Sequence, residues 1–306
     1  MANNAFIFPG QGSQYPGMGK ELAENFKIAR ETFAEADDIL GLSLSKICFE
    51  GPEEELKLTA NTQPAILTAS IAILRVVRAE TPLTAAYLAG HSLGEYSALV
   101  ASGALAFADA LRTVRARGSF MQEAIPLGVG AMAAILGVEP GVLAEICHEA
   151  AEGEVVSPAN FNSPGQIVIA GHTGAVNRAI EIAKNRGYRK TMILPVSAPF
   201  HCSLMAPAGE RLSKTLAGIP VAPLEIPVVT NVDARPNKNE ERVKEYLVRQ
   251  VSAPVLWEAS VLHMVELGVD RFIEIGPGKV LSGLVKRTVK GTMVNNVEDV
   301  ASLNAL

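Results

Sequence analysis

Short apolar runs alternate along this chain with longer stretches in which apolar positions return every three or four residues. The first kind reads as buried strand and the second as one-faced helix. Ala5–Phe8 predicts an opening strand that breaks at Pro9-Gly10-Gln11-Gly12. Helices are predicted near 18–35 and 62–80, a strand over Ala85–Ala89, and helices near 93–102 and 106–124. Later strands fall at 227–230 and 271–275, with helices near 202–217, 239–250 and 279–289. Alternating strand and helix implies an α/β protein with a mostly parallel sheet covered by helices.

The middle of the chain follows a different order. It reads strand (Ala131–Val138), helix (Gly141–Ala151), strand (Val155–Asn160), strand (Gln166–Ala170), helix (Thr173–Gly187) and strand (Thr191–Val196). That β-α-β-β-α-β succession is the ferredoxin-like pattern, complete in itself. Pro126-Leu127-Gly128 leads into it and Pro195 to Pro199 lead out. The expected organisation is a core of residues 1–126 and 198–306 carrying an insert over 127–197, with a cleft where the two meet. No internal repeat or low-complexity segment interrupts this scheme.

Composition narrows the function classes. With 306 residues, 48% hydrophobic and 19% charged, the chain has the balance of a soluble globular protein. A net charge of −5 weighs against a general polyanion-binding role, and no nucleic-acid partner is expected. Met1-Ala2-Asn3-Asn4 lacks the basic segment and apolar run of a secretion signal. The apolar helix from Ala65 to Val77 is interrupted by Arg75 and is too short to span a bilayer. The expectation is a cytoplasmic protein without a membrane partner. Cys48, Cys147 and Cys202 have no metal-like spacing and read as small buried hydrophobes, so no metal is expected.

Chemistry is concentrated at Gly90-His91-Ser92-Leu93-Gly94. An apolar run precedes it and a helical pattern, Glu95 to Val100, follows. Gly-x-Ser-x-Gly between a strand and a helix is the context of a nucleophile elbow. There the glycines permit a strained turn, and the helix start favours negative charge developing nearby. Ser92 is therefore the candidate nucleophile. Its hydroxyl needs a base within hydrogen-bond reach. Among the five histidines, His91 lies inside the elbow with its side chain expected to point away from Ser92. His148 falls among glutamates, His172 in a turn, and His263 in a helix. His201, on a loop edge in Ala198-Pro199-Phe200-His201-Cys202, is the one placed to reach across a cleft.

A triad acid is not evident. Asp233 and Glu274 are the visible candidates, and a backbone carbonyl is the alternative holder of the imidazole. Arg115 and Arg117 flank the apolar stripe of the 106–124 helix on opposite sides, so periodicity cannot choose between them, and pattern alone favours a solvated arginine. A substrate carboxylate would change that reading for Arg117. Pro9-Gly10-Gln11-Gly12-Ser13-Gln14 fits either a phosphate cradle or a backbone N–H donor for an oxyanion. Gly128-Val129-Gly130 precedes a strand instead of following one, and Gly276-Pro277-Gly278-Lys279 lacks P-loop spacing.

Several separated motifs together resemble one family. They are Phe8 to Gln14, Gly90 to Glu95, Arg117-Gly118 with Met121-Gln122, Asn160-Phe161-Asn162-Ser163-Pro164 and Pro199-Phe200-His201. The chain is similar, essentially end to end, to the malonyl-CoA:acyl carrier protein transacylases of fatty-acid synthesis. The resemblance implies a hydrolase-like core carrying a ferredoxin-like insert. It implies Ser92 as nucleophile, His201 as base, and Arg117 as clamp for a malonyl carboxylate. Gln11 and Leu93 become backbone oxyanion donors, and the Gln250 carbonyl holds the imidazole. Met121 and Phe200 fall on the substrate side, with Asn231 and Asn160 in support. The implied partners are malonyl-CoA and acyl carrier protein, with no cofactor beyond the coenzyme A thioester itself. Arg186, Arg189 and Lys190, or Lys286, Arg287 and Lys290, are candidate contacts for an acidic carrier. The rivals are an esterase- or patatin-type hydrolase and a non-catalytic acyl-CoA or carrier-binding module.

Overall fold

The computed structural model describes residues 3–196 and 198–306. Its ten strands are β1 (Asn4–Phe8), β2 (Tyr87–Gly90), β3 (Gly130–Leu136), β4 (Val156–Ser163), β5 (Gln166–His172), β6 (Thr191–Ile193), β7 (Val228–Val229), β8 (Pro236–Asn237), β9 (Arg271–Ile275) and β10 (Met293–Val297). They form two sheets. The larger has the order β10-β9-β1-β2-β7-β8, and every pairing is parallel except the last. The smaller, β4-β5-β3-β6, is antiparallel throughout. The chain is thus a mixed α/β protein with one mostly parallel and one antiparallel sheet.

Period-two alternation in β1 explains how the larger sheet is covered on both faces. Phe6 and Phe8 enter a core shared with the Thr59–Glu80 and Gly94–Ala101 helices. Ala5 and Ile7 enter the opposite one, around Trp257, Val261 and Phe272. The smaller sheet divides its side chains the same way. Ala133 and Ile135 of β3 pack on Leu143, Ile146 and Val176 of its two helices. Met132 and Ala134 join the main core together with Phe200. One face of the antiparallel sheet is therefore sealed against the larger body, which makes a cleft at their junction.

Several boundaries differ from the sequence-based expectation. The helix predicted over 18–35 is two, Lys20–Asn25 and Lys27–Leu40, because Phe26 adopts extended backbone (φ −120°, ψ 122°). The strand expected over 191–196 pairs only as far as Ile193, and residue 197 beyond it lies outside those described. Strand β10 was not foreseen, since Asn295 and Asn296 interrupt its apolar pattern; as an edge strand it needs only one buried flank. No helix among the described residues is long and apolar enough to cross a membrane.

The Phe107–Glu123 helix lies so close to the Thr59–Glu80 helix that a Cβ at Gly118 would sit 2.6 Å from the Thr59 carbonyl oxygen and 2.9 Å from the Ala60 Cα. These neighbours are backbone and cannot turn aside. Gly118→Ala should therefore destabilise the fold by about 2–4 kcal/mol in urea titration. Gly283→Ala, in a helix with nothing near its would-be Cβ, should be neutral or stabilising by up to ~1 kcal/mol.

Candidate active site

Strand β2 ends at Gly90, the chain turns at Ser92 with φ 50°, and the Gly94–Ala101 helix begins. Left-handed backbone at a serine is strained and needs support on every side. Two glycines make the turn possible: a Cβ at Gly90 would fall on the Gly94 carbonyl, and one at Gly94 on the Phe8 carbonyl. Asn231, just past β7, braces the turn from the neighbouring strand. Its Oδ1 accepts from the Ser92 N–H at 2.6 Å, and its Nδ2 donates to the Gly90 carbonyl at 2.7 Å.

The Ser92 hydroxyl lies 2.8 Å from His201 Nε2, and His201 Nδ1 lies 2.8 Å from the Gln250 carbonyl oxygen. A carbonyl only accepts, so Nδ1 carries the proton and Nε2 is left to accept from Ser92. His201 also takes left-handed backbone (φ 61°), and its side chain is buried. Burial, and next the positive charge of Arg117, pull its pKa down to about 3. At neutral pH the imidazole is uncharged. The two acids considered for a triad are engaged elsewhere. Asp233 accepts from Arg249 at 3.0 Å, while Glu274 accepts from the Leu281 and Ser282 N–H groups at 3.0 and 2.7 Å.

Arg117 corrects the solvated reading that periodicity favoured. It is 1% exposed. Its Nη1 donates to Gln63 Oε1 at 2.8 Å, and its Nη2 donates to Gln250 Oε1 at 2.9 Å and to Ser92 Oγ at 3.1 Å. The guanidinium sits 5.6 Å from the centre of the Tyr96 ring. All three acceptors are neutral, and among the described residues no carboxylate forms an ion pair with it. Burial pushes its pKa below the usual value for an arginine. Arg115, on the other flank, is half-buried and reaches Asn61 Oδ1 at 3.2 Å.

These groups open onto a cavity of about 110 Å³. Gln11, Leu93, Met121, Asn160 and Phe200 all line it, as do Ser92, His201 and Arg117. Asn231 and Gln250 stand behind the serine and not in the cavity wall. Sequence reading did not single out Gln63, Met132, Leu194 or Val196, which complete the lining. Gln63 had one usable signal, a lone amide in the apolar run Gln63-Pro64-Ala65-Ile66-Leu67. His91 turns its Nε2 to Asn162 Oδ1 at 2.9 Å, linking the elbow to β4, though its ring also borders the cavity. His172 Nδ1 accepts from the Val155 N–H at 2.9 Å. All three cysteines are buried and unpaired with one another, and no group of side chains among the described residues is arranged to hold a metal ion.

A serine at a strand–helix turn, hydrogen-bonded to a neutral histidine and beside a short, cation-lined cavity, has the equipment for acyl transfer. The chain belongs to the acyl transferase domain family, whose model matches residues 5–305. It is 52% identical over 289 residues to the malonyl CoA-acyl carrier protein transacylase of Escherichia coli (strain K12), covering 94% of each chain. To the enzyme of that name from Bacillus subtilis it is 51% identical over 288 residues, 94% of this chain and 90% of the other. Among solved structures, an acyl carrier protein S-malonyltransferase from Vibrio cholerae superimposes with a TM-score of 0.97 at 49% identity, with 99% of both chains covered. A malonyl-transacylase in complex with a type II PKS acyl-carrier protein gives 0.97 at 47% identity, covering 99% of this chain and 98% of that one.

Because folded His201 resists protonation until about pH 3 while an unfolded imidazole accepts a proton near 6.5, the unfolded chain binds more protons between those values. Stability from this residue is complete above the higher value and is lost as pH falls toward the lower one. His201→Gln should lack that loss. Between pH 6.5 and 4.5, calorimetry or urea titration should show the wild type weakening by about 2 kcal/mol more than the variant; parallel curves would refute the buried neutral imidazole.

Proposed function

We propose that this chain transfers a malonyl group from malonyl-CoA to the phosphopantetheine thiol of an acyl carrier protein through a malonyl-serine ester. The observation that carries the reading is the Arg117 guanidinium, buried, in no ion pair with a carboxylate among the described residues, and 3.1 Å from Ser92 Oγ. In a malonyl-serine ester the free carboxylate stands one methylene beyond the acyl carbonyl. A cation beside the ester oxygen can therefore meet it, in the two-pronged geometry that guanidinium and carboxylate favour. The match to malonyl transferases over the whole chain supports the same conclusion.

In the first half-reaction Ser92 Oγ attacks the thioester carbonyl carbon while His201 Nε2 takes its proton. The backbone N–H groups of Gln11 and Leu93 receive the oxyanion. Collapse breaks the carbon–sulfur bond, and His201 returns the proton to the departing coenzyme A thiolate. In the second half-reaction the carrier's thiol gives its proton to His201 and attacks the ester carbonyl. Collapse then restores the Ser92 hydroxyl. The Gln250 carbonyl keeps the imidazole in one tautomer throughout, and the histidine ends each half as it began. Met121 and Phe200, with Met132, Leu194 and Val196, wall a space suited to a short acyl group. Asn231 and Asn160 support the turn and the opposite rim.

The same reading assigns residues 1–126 and 198–306 to a hydrolase-like core and 127–197 to a ferredoxin-like insert. The order β4-β5-β3-β6, second-third-first-fourth within that segment, supports the second assignment. It also implies a cytoplasmic enzyme that needs coenzyme A only as the acyl group's carrier. Of the two basic sets, Arg186 is occupied by Glu145 and Glu149, whereas Arg287 reaches across to Gln166 on β5. That favours the Lys286, Arg287 and Lys290 edge as the face met by an acidic carrier.

Two measurements test the reading. Mass spectrometry of the protein mixed with malonyl-CoA should find a malonyl adduct on Ser92 that disappears when carrier protein is added, with malonyl-carrier formed; release as free malonate would mean a hydrolase. Arg117→Ala should lose about 100-fold or more of malonyl transfer, the scale of a lost charge-assisted pair, while acetyl transfer persists or rises. Equal loss with both donors would remove the clamp.

A further inference from the structure

Glu95 is the second residue of the helix after Ser92 and is buried, yet no step of the transfer uses it. Its Oε2 accepts two hydrogen bonds, from the Asn231 backbone N–H at 3.0 Å and from Gln250 Nε2 at 2.7 Å. Both donors belong to residues that hold the reacting serine. Gln250 Nε2 also donates to the Ser92 carbonyl at 3.0 Å, while Gln250 Oε1 accepts from Arg117 at 2.9 Å. A side-chain amide has two unlike ends. Turned by half a rotation, this one would set its NH₂ against the guanidinium and its oxygen against other oxygens. The Glu95 bond is the shortest of the three that the Gln250 nitrogen makes, the others reaching the Ser92 carbonyl at 3.0 Å and Asn231 Oδ1 at 3.4 Å, so it carries much of the preference for the observed orientation.

We infer that Glu95 is a positioning residue for the transfer centre, its Oε2 fixing the orientation in which Gln250 presents oxygen to Arg117 and nitrogen to the Ser92 carbonyl. Both bonds converge on one oxygen, so the requirement is an acceptor at that point and not a negative charge. The electrostatics agree. Burial pushes the carboxyl up to about 7, against the pull of its two hydrogen bonds and of Arg117, with Asp233 adding to the rise. Near neutral pH the group is therefore partly protonated.

This inference rests on the malonyl reading, because selectivity for malonyl is what a misdirected Arg117 would lose. The test compares Glu95→Gln, which keeps an oxygen at the same reach without charge, with Glu95→Asp. The aspartate keeps the charge but withdraws the oxygen by one C–C bond, about 1.5 Å. Transfer to carrier protein is measured from malonyl-CoA and from acetyl-CoA, with thermal melting alongside. Glu95→Gln should keep the malonyl-to-acetyl ratio of kcat/KM within about threefold of wild type. Glu95→Asp should lower that ratio about tenfold, a change that general loosening of the fold would not produce. An unchanged ratio in Glu95→Asp, or a collapsed ratio in Glu95→Gln, overturns the inference. Should Glu95→Asp fail to fold, the Glu95→Gln ratio decides alone. Wild-type protein that moves no malonyl to carrier would sink the proposed function itself, a result separate from either variant's.

Discussion

A guanidinium buried among neutral oxygens is the constraint on which the centre of this molecule depends. Removing such a charge from water is costly unless hydrogen bonds or an opposite charge replace the lost solvation. Here Gln63, Gln250 and Ser92 supply the bonds, but among the described residues no carboxylate forms an ion pair with it, and Glu95 acts on it only through its field. An acidic partner would have been the cheaper arrangement for stability alone. In the proposed reaction the ligand would bring its own carboxylate to that place and set it against the serine's oxygen.

The larger fold can be understood as the means of holding this cation beside a strained serine. Arg117 comes from one helix, Gln63 from the helix packed against it, and Gly118 is what lets the two approach. Ser92 comes from the end of β2, with Asn231 from beside the paired strand β7. His201 enters from the chain returning from the antiparallel sheet, and its tautomer is set by a carbonyl near the end of the Val243–Ser252 helix. Gln250 serves several partners: its main chain faces His201, its amide oxygen faces Arg117, and its amide nitrogen faces the elbow and Glu95. Few side chains can bridge a charge and a turn at once, because few carry both a donor and an acceptor at that reach.

What the sequence made legible follows the same division. The elbow could be read because its glycines and its strand–helix context are local, and the β-α-β-β-α-β order was readable for the same reason. Arg117 could not be placed by periodicity, since a helix stripe tells which face is apolar but not whether a flanking residue meets water or a second helix. Gln63, fifty-four residues away in sequence, decides that question, and nothing local announces the meeting. The absent acid was visible only as a gap. Asp233 and Glu274 were visible as acids, neither in a convincing triad context, and each is engaged elsewhere: Asp233 by Arg249, Glu274 by the Leu281 and Ser282 N–H groups. The break at Phe26 and the short β6 likewise depend on neighbours that periodicity does not register.

Electrostatics tie the cation to the base more closely than their shared contact with Ser92 suggests. Arg117 and His201 share the Ser92 hydroxyl, so Arg117 Nη2 and His201 Nε2 can be no farther apart than two hydrogen bonds laid end to end. Two unit positive charges about 6 Å apart repel by roughly 3 kcal/mol at an effective dielectric near 20. Arg117 is accordingly the largest influence after burial in keeping His201 unprotonated. In the proposed reaction the histidine must become an imidazolium as Ser92 loses its proton, which that repulsion opposes. A malonyl carboxylate paired with Arg117 cancels much of the opposing charge; an acetyl group, having none, leaves it in place. The carboxylate would then select for malonyl twice, once by binding the guanidinium and again by allowing the neighbouring imidazole to accept a proton.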